Sequence, residues 1–460
     1  MKNIISIDIG STYTKGALFS LVENTLSLEK SASVPTTPDN LLSCFDEVLG
    51  RLSMKKKHEL FFSSSAKGGL KIAAIGLVPE LTLSAAKEAA ISAGARVSEL
   101  YSYKLCENDI SALSKNPPDI ILLSGGTDGG SETYNLHNAA MLAKADIKTP
   151  VIYAGNRCIS SEIERTLSGT ELYIVENVLP GLEMTSPEPT REKIREVFLS
   201  KITAGKGLDK IVEKTSAEPW PTPYSMLEYL KEIYEFRPDF GDFCLVDMGG
   251  ATTDVYSCGG VSSSSSTVIQ KGLPEPQVKR SVEGDMGMRK SASAVFENMN
   301  AEISESLKQA NLPVSLFEKY LRKIDGDSSY LPQTENEHVF EKILAEACFS
   351  GSMKRHAGTE EEIYTPQGKF MLRKGKDLRE TGKLIGTGGY LAKMKSFSPL
   401  DCMKATEKKS SLIPLAPDYY VDEKYLFPLL ANISFKYPEA AVNKGIEVLS
   451  KAKQQVLKCH

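Results

Sequence analysis

Residues 1–21 read MKNIISIDIGSTYTKGALFSL. Ile4, Ile5, Ile7 and Ile9 form a β-branched run that predicts a buried strand. Asp8 interrupts that run. An ionised carboxylate in an apolar strand is costly unless a cation or several donors compensate it. Gly10 opens a hydroxyl-rich turn of Ser11, Thr12, Tyr13 and Thr14, Lys15 follows, and Ala17 to Val22 resumes the strand pattern. A turn with exposed backbone N–H groups, small hydroxyls and a lysine suits an anion such as phosphate. A carboxylate beside it suits Mg²⁺ carried with its waters. A hairpin with one buried, satisfied aspartate fits the same letters, so this stretch alone leaves both readings open.

The design returns later in the chain. Phe243 to Val246 predicts a strand ending in Asp247. Met248-Gly249-Gly250-Ala251-Thr252-Thr253-Asp254 makes the turn, and Val255 to Ser257 the return strand. A recurrence at the start of a second half predicts two halves of related design. A third glycine element, Ile385-Gly386-Thr387-Gly388-Gly389, reads as a strand end opening into a helix. Together these fit a triphosphate nucleotide. Phosphates take N–H donors from turns on both sides, Mg²⁺ takes carboxylates through waters, and adenosine takes a glycine surface that allows close approach.

Composition narrows the class. The chain has 460 residues, is 41% hydrophobic and 25% charged, and carries a net charge of −4. That is an ordinary globular composition without the basic field of a nucleic-acid binder. No run approaches the ~18 apolar residues of a membrane span. The eight cysteines are scattered with no Cys-x-x-Cys. They read as reduced thiols, and with no signal-peptide h-region at the N-terminus they predict a cytoplasmic protein. The histidines form no His-x-x-x-His pair, so no zinc-type site is expected, and Cys459-His460 reads as a frayed end.

Along the chain, residues 39–57 predict a helix with Leu41, Phe45, Val48 and Leu52 on one face. A strand, loop and helix alternation between about 64 and 185 predicts an inserted parallel α/β unit. Prolines punctuate the chain from 180 to 238 and place a boundary near 237–242. The expected division is an N-terminal half over 1–240, a C-terminal half over 241–400, and closing helices over 401–460, roughly 424–435 and 438–457. Residues 300–382 read as mostly helical, and the serine run 262–266 as a hairpin tip.

The three glycine elements resemble the actin, hexokinase and seventy-kilodalton heat-shock ATPase superfamily. Ile7 to Lys15 is similar to its first phosphate motif, Val246 to Asp254 to its second, and Ile385 to Gly389 to its adenosine motif. The resemblance implies an α/β fold of two related ribonuclease H-like halves around a nucleotide cleft. It implies that Asp8 and Asp247 hold the Mg²⁺ shell and that Asp254 orients the attacking water. Ser11, Thr12, Lys15, Thr252 and Thr253 would contact phosphates. Gly10, Tyr13, Gly249, Gly250, Ala251, Asp285, Gly386, Thr387, Gly388 and Gly389 complete the expected nucleotide set.

A narrower resemblance covers most of the chain. Residues 64–83 (SSSAKGGLKIAAIGLVPELT), 119–135 (DIILLSGGTDGGSETYN), 151–156 (VIYAGN) and 282–289 (VEGDMGMR) are similar to the glutamate mutase accessory proteins called MutL or GlmL. These are unrelated to the mismatch-repair proteins of similar name. The resemblance implies an ATP-dependent reactivase or chaperone whose partners are subunits of adenosylcobalamin-dependent mutases or aminomutases. Asp-x-His-x-x-Gly, the base-off cobalamin signature of the mutases themselves, is absent. A small-molecule kinase on the same fold, with Asp254 as base, and a scaffold without catalysis are the alternatives. The Gly125–Gly130 element has three readings: a further nucleotide contact, a site for the mutase or its cofactor, or a tight turn with Asp128 capping the next helix. Asp285 could equally cap the helix that follows it.

Overall fold

The computed structural model describes residues 1–37, 39–52, 57–65, 70–145, 147–182, 184–202, 207–260, 267–366, 368–394, 397–405 and 410–452. The serine run 262–266 and Cys459-His460 lie outside them, as does most of the turn 64–69. Two compact units divide the chain. One holds residues 1–68, 210–269 and 275–460, and the other residues 69–209 with 270–274.

In the first unit the N-terminal sequence folds as a meander. Strands β1 (Lys2–Ile9), β2 (Tyr13–Val22) and β3 (Thr25–Pro35) pair antiparallel, and β4 (His58–Ser64) joins β1 in parallel. The central β1 is buried on both faces, which explains its unbroken isoleucine run. Helix Leu41–Leu52 lays Leu41, Phe45, Val48 and Leu52 on this sheet, as its periodicity predicts.

The second unit carries β5 (Lys71–Gly76), β6 (Arg96–Ser102), β7 (Ile120–Leu123), β8 (Val151–Tyr153) and β9 (Leu172–Ile174). They form one parallel sheet in the order β6-β5-β7-β8-β9, with helices in the crossovers. Short apolar strands such as Ile120–Leu123 are fully buried, the pattern of a parallel sheet covered on both faces.

The chain then returns to the first unit. The two-residue strand β10 (Trp220–Pro221) completes the first sheet in the order β10-β4-β1-β2-β3. The remaining strands are β11 (Phe243–Met248), β12 (Thr253–Cys258), β13 (Val268–Lys271), β14 (Val278–Glu283), β15 (Thr359–Thr365), β16 (Gly368–Lys374), β17 (Lys383–Thr387), β18 (Asp418–Val421) and β19 (Ser450–Lys451). Six of them form a second sheet, β14-β12-β11-β17-β18-β19. Here β11, β12 and β14 make an antiparallel meander, and β17 then β18 add in parallel beside β11. This is the topology of the first sheet over again, so the duplicated design visible in the sequence is a duplicated fold.

Helices Thr222–Phe236 and Phe427–Ser434 bury one apolar core against both sheets, including Ile4, Phe19, Phe243, Leu245 and Ile385. The outer face of the second sheet is covered by helices from Ala292 to His356. Two expectations are corrected. Residues 359–374 are a β-hairpin rather than helix, because the charges pair across strands, Arg373 with Glu360 and Lys369 with Glu362. The closing helices are shorter, Phe427–Ser434 and Pro438–Glu447, and the chain then adds β19 to the second sheet.

Candidate functional site

The opening motif puts Asp8 at the end of β1, directly opposite Lys15 on β2. The turn between them is pinned by the Gly10 N–H donating to the Tyr13 carbonyl at 3.1 Å. Thr36 braces it from β3's end: its N–H donates to the Thr12 carbonyl at 2.8 Å and its hydroxyl to the Gly10 carbonyl at 2.9 Å. Ser11 and Thr12 are half-buried and Tyr13 is exposed.

The second motif repeats this geometry. Asp247, one residue before the end of β11, lies opposite Asp254 on β12, and the Gly249 N–H donates to the Thr252 carbonyl at 2.9 Å. Residues 284–291 fold over this turn. Met288 N–H donates to Gly249, and Arg289 and Lys290 N–H to Gly250. Gly287 lies so close that a Cβ there would sit 2.4 Å from the Ala251 carbonyl carbon. The two turns meet: a Cβ on Gly250 would lie 3.0 Å from Thr12 Cγ2.

Asp8 is 1% exposed and fully engaged. Its Oδ1 accepts from Thr222 at 2.7 Å and Ser63 at 3.1 Å, and its Oδ2 from the Tyr425 hydroxyl at 3.5 Å. Burial still holds its pKa above the usual carboxylate range, against the pull of Thr222 and Lys15. Burial likewise lowers the Lys15 pKa, while Asp8, Asp247 and Asp422 oppose that shift. Asp247 is pushed up to about 7, first by burial and next by the neighbouring Asp254, with Lys15 pulling the other way. Asp254 is gripped at Oδ1 by the Nε of buried Arg280 at 2.9 Å, and its Oδ2 faces the Thr252 hydroxyl at 3.5 Å.

The third motif lies beside this pair. Thr387, at the end of β17, is in parallel register with Asp247. Gly388 takes φ of +103° and passes so near Met248 that a Cβ would stand 2.3 Å from its carbonyl oxygen. Gly386 is packed against Tyr419, whereas Gly389 faces open space.

Several predicted side chains point elsewhere. Thr253 is fully buried and donates to the Met286 carbonyl at 2.6 Å, so its hydroxyl faces the core. The Thr387 hydroxyl donates to Asp422 at 3.1 Å. Asp285 binds outward, accepting from Asn298 and Arg355, each at 2.7 Å. The Gly125–Gly130 loop belongs to the inserted unit. Gly125, Gly126 and Gly129 have positive φ, as a tight turn requires. Asp128 does not cap helix Thr133–Lys144; it accepts from Arg157 N–H at 3.1 Å and Asn177 at 3.0 Å.

Five residues absent from the sequence reading complete the site: Ser63, Thr222, Arg280, Asp422 and Tyr425. Asp422 directly follows the strand Asp418–Val421, a placement close to that of Asp8 and Asp247. Neither the glycine nor the small hydroxyls that follow Asp8 and Asp247 come after it. It is fully buried, accepts from Leu426 N–H at 2.8 Å and Phe427 N–H at 3.0 Å, and so anchors the start of helix Phe427–Ser434. Among the described residues no three of His, Cys, Asp and Glu group closely enough to ligate a metal directly. A cavity of about 470 Å³ lies at the His58 end of β4, lined by Leu49, Phe61, Lys214 and Lys436, and none of the predicted residues line it.

Two sheets of one topology, each opening on the same aspartate–turn–strand device, define an actin-like ATPase fold. The chain belongs to the MutL family: a family model described as MutL protein matches residues 4–447. Protein MutL of Clostridium tetanomorphum is 36% identical over 458 residues, covering 96% of this chain and 98% of that protein. Among solved structures, xylulose kinase from Bifidobacterium adolescentis is similar with a TM-score of 0.30 and 9% identity, over 99% of this chain and 95% of that one. The Aquifex aeolicus Ppx/GppA phosphatase gives 0.21 and 11%, over 97% and 91%. The assignment of the fold rests on strand order and register, not on these likenesses. No described helix is long and apolar enough to cross a membrane.

Proposed function

We propose that this chain binds ATP with Mg²⁺ at the two turns, hydrolyses it slowly, and uses the change to reactivate an adenosylcobalamin-dependent mutase or aminomutase. The observation that carries the nucleotide reading is the meeting of the two turns, with Thr12 against Gly250. Lys15 and the N–H groups of the first turn would bind phosphate oxygens. Gly388 and Gly389 would let the adenosine lie close to the backbone. Asp254, held at Oδ1 by Arg280, keeps Oδ2 to orient a water for in-line attack on the γ-phosphate.

The residues fit Mg²⁺. Burial first, and then the crowding of Asp254, Asp8 and Asp422 around it, raises the Asp247 pKa, and a cation would relieve that crowding. Asp8 and Asp247 would hold the ion through waters. Bound there, it would neutralise charge on the phosphate oxygens. Positioning and electrostatics are the protein's contribution to such a transfer. A switch gains from long-lived states, which is why slow turnover is expected.

The mutase partner rests on family membership and on the phrases at 64–83, 119–135 and 282–289. The test is capture of mutase subunits by the tagged protein with ATP, with ADP and with neither. Nucleotide-dependent association supports the reactivase reading. Association that ignores nucleotide, or none with any mutase, sinks it. Titration calorimetry with ATP and Mg²⁺ tests the site independently, and Asp8→Ala should abolish the binding signal.

A further inference from the structure

Lys15 and Asp8 stand opposite each other in antiparallel register, the arrangement that ordinarily yields a cross-strand ion pair. Among the described residues that pair does not form. The Lys15 Nζ lies instead over the ring of Tyr425, 3.0 Å from its centroid. The same tyrosine sends its hydroxyl to Asp8 Oδ2 at 3.5 Å. Tyr425 achieves this from a left-handed backbone, with φ of +53°. That conformation is unusual for a bulky aromatic residue and calls for a reason.

We infer that Tyr425 is a positioning residue of the phosphate site: it keeps Lys15 unpaired and directed for an incoming phosphate. The inference rests on the nucleotide reading above. A lysine beside Asp8, Asp247 and Asp422 has three carboxylates to collapse onto, each of which would consume its charge before a ligand arrived. A ring face holds an ammonium more weakly than a carboxylate does, and gives it up to an anion more readily. The hydroxyl meanwhile occupies the Asp8 oxygen that would otherwise draw Lys15 in. The residue is also fixed in place: its N–H donates to the Asp422 carbonyl at 3.1 Å, and Asp422 itself anchors helix Phe427–Ser434. The ring is therefore delivered by the same segment that bonds Thr387, next to Asp247.

The backbone suggests a clean variant. Asparagine tolerates left-handed φ far better than tyrosine, so Tyr425→Asn removes the ring while easing the strain. We expect Tyr425→Asn to melt at or above the wild-type temperature and yet bind ATP about tenfold more weakly by calorimetry. Tyr425→Phe keeps the ring but frees the Asp8 oxygen that its hydroxyl occupies, so its affinity should fall between wild type and Tyr425→Asn, about threefold below wild type. Lys15→Met should weaken binding as well, and adding Tyr425→Asn to it should cost nothing more, because the tyrosine acts through that lysine. Independent losses that multiply in the double variant would overturn the inference, as would wild-type affinity in Tyr425→Asn. Wild-type protein that binds no ATP would instead sink the nucleotide reading, and this inference with it. The lone tryptophan supplies a second readout. Trp220 stacks on Phe435 at 3.9 Å, just beyond the helix that Asp422 anchors, so ATP should change its emission in wild type and in Tyr425→Phe. An ATP-induced emission change of wild-type size in Tyr425→Asn would count against the inference.

Discussion

The first and second turns share a backbone and differ in charge. Each has an aspartate ending a central strand, a glycine two residues later and one pinning hydrogen bond from that glycine, 3.1 Å long in the first and 2.9 Å in the second. The residue opposite the aspartate is Lys15 in one and Asp254 in the other. The first turn therefore brings its own cation, whereas the second gathers negative charge and leans on Arg280 from β14. The duplicated fold supplies a common scaffold. The substitution at that one cross-strand position divides the labour: the first turn is equipped for an anion, the second for a cation.

The sharpest way to break the contrast is to remove the second turn's internal compensation. Arg280→Met would leave Asp254 beside Asp247 without the guanidinium, whose side chain is only 2% exposed. Loss of one member of a buried ion pair costs about 3–5 kcal/mol, so a large fall in melting temperature is expected, whereas loss of an exposed pair such as Arg51–Glu47 should be nearly silent.

The glycines sharpen it next. A Cβ on Gly10 would meet the Tyr13 carbonyl oxygen at 2.7 Å, while one on Gly249 would stand 3.1 Å from the Thr252 oxygen. Gly10→Ala should cost about 1–3 kcal/mol because a backbone atom must shift. Gly249→Ala should cost clearly less. Equal melting temperatures for the two variants would mean that the turns are not the mechanical copies their hydrogen bonds suggest.

How far the sequence spoke depended on how local the physics was. The two aspartates, the glycines and the meander around each were legible because strand burial and turn chemistry are written in adjacent residues. The inserted parallel sheet was legible in its alternation of short apolar strands and helices. Arg280, Thr222 and Tyr425 were not, because each reaches the site from a distant segment through a single side chain. Thr253 shows the opposite limit. It sits inside the motif, but strand alternation turns it toward Met286 while Thr252 faces the other way. The hairpin at 359–374 was missed because its charges repeat without apolar alternation, and only cross-strand pairing reveals their purpose.

The smaller effects concern pH and the cation. Burial, and next the neighbouring Asp254, pushes the Asp247 carboxyl up to about 7 in the folded protein, against about 3.8 when unfolded. The raised folded pKa means the native state holds its proton longer, so ionisation is a penalty that grows from about pH 4 to pH 7 and is constant above. Asp247→Asn should therefore stabilise the protein at pH 8, on the order of 1–2 kcal/mol for this half-buried group, with the gain vanishing near pH 4. Mg²⁺ should raise the melting temperature of wild type at pH 8 and leave Asp247→Asn unmoved. A gain from Mg²⁺ that survives in the variant would remove Asp247 from the cation side of the comparison.

The last test lies deeper in the second sheet. His356 is buried between the hydroxyls of Ser257 and Ser281, each 2.9 Å from a ring nitrogen. Burial, with Lys279 and Lys376 nearby, drives its pKa well below the ordinary value of 6.5. The folded state thus refuses a proton that the unfolded chain accepts. The native state keeps its full stability from this group above about pH 6.5 and loses about 1 kcal/mol per unit as pH falls below it. Asp247 titrates in the opposite sense over the same range, so the slope is read in an Asp247→Asn background: melting curves between pH 5 and 8 should show it there, and a flatter one once His356→Gln is added, whose amide keeps partners for both hydroxyls without titrating. Among the described residues the first sheet buries no histidine in this way; there Ser6 donates to the Leu429 carbonyl at 2.8 Å and the buried Asp8 is ringed by donors. In the Asp247→Asn background hydrogen exchange at pH 5.5 should show β12 and β14 less protected than in the variant that also carries His356→Gln.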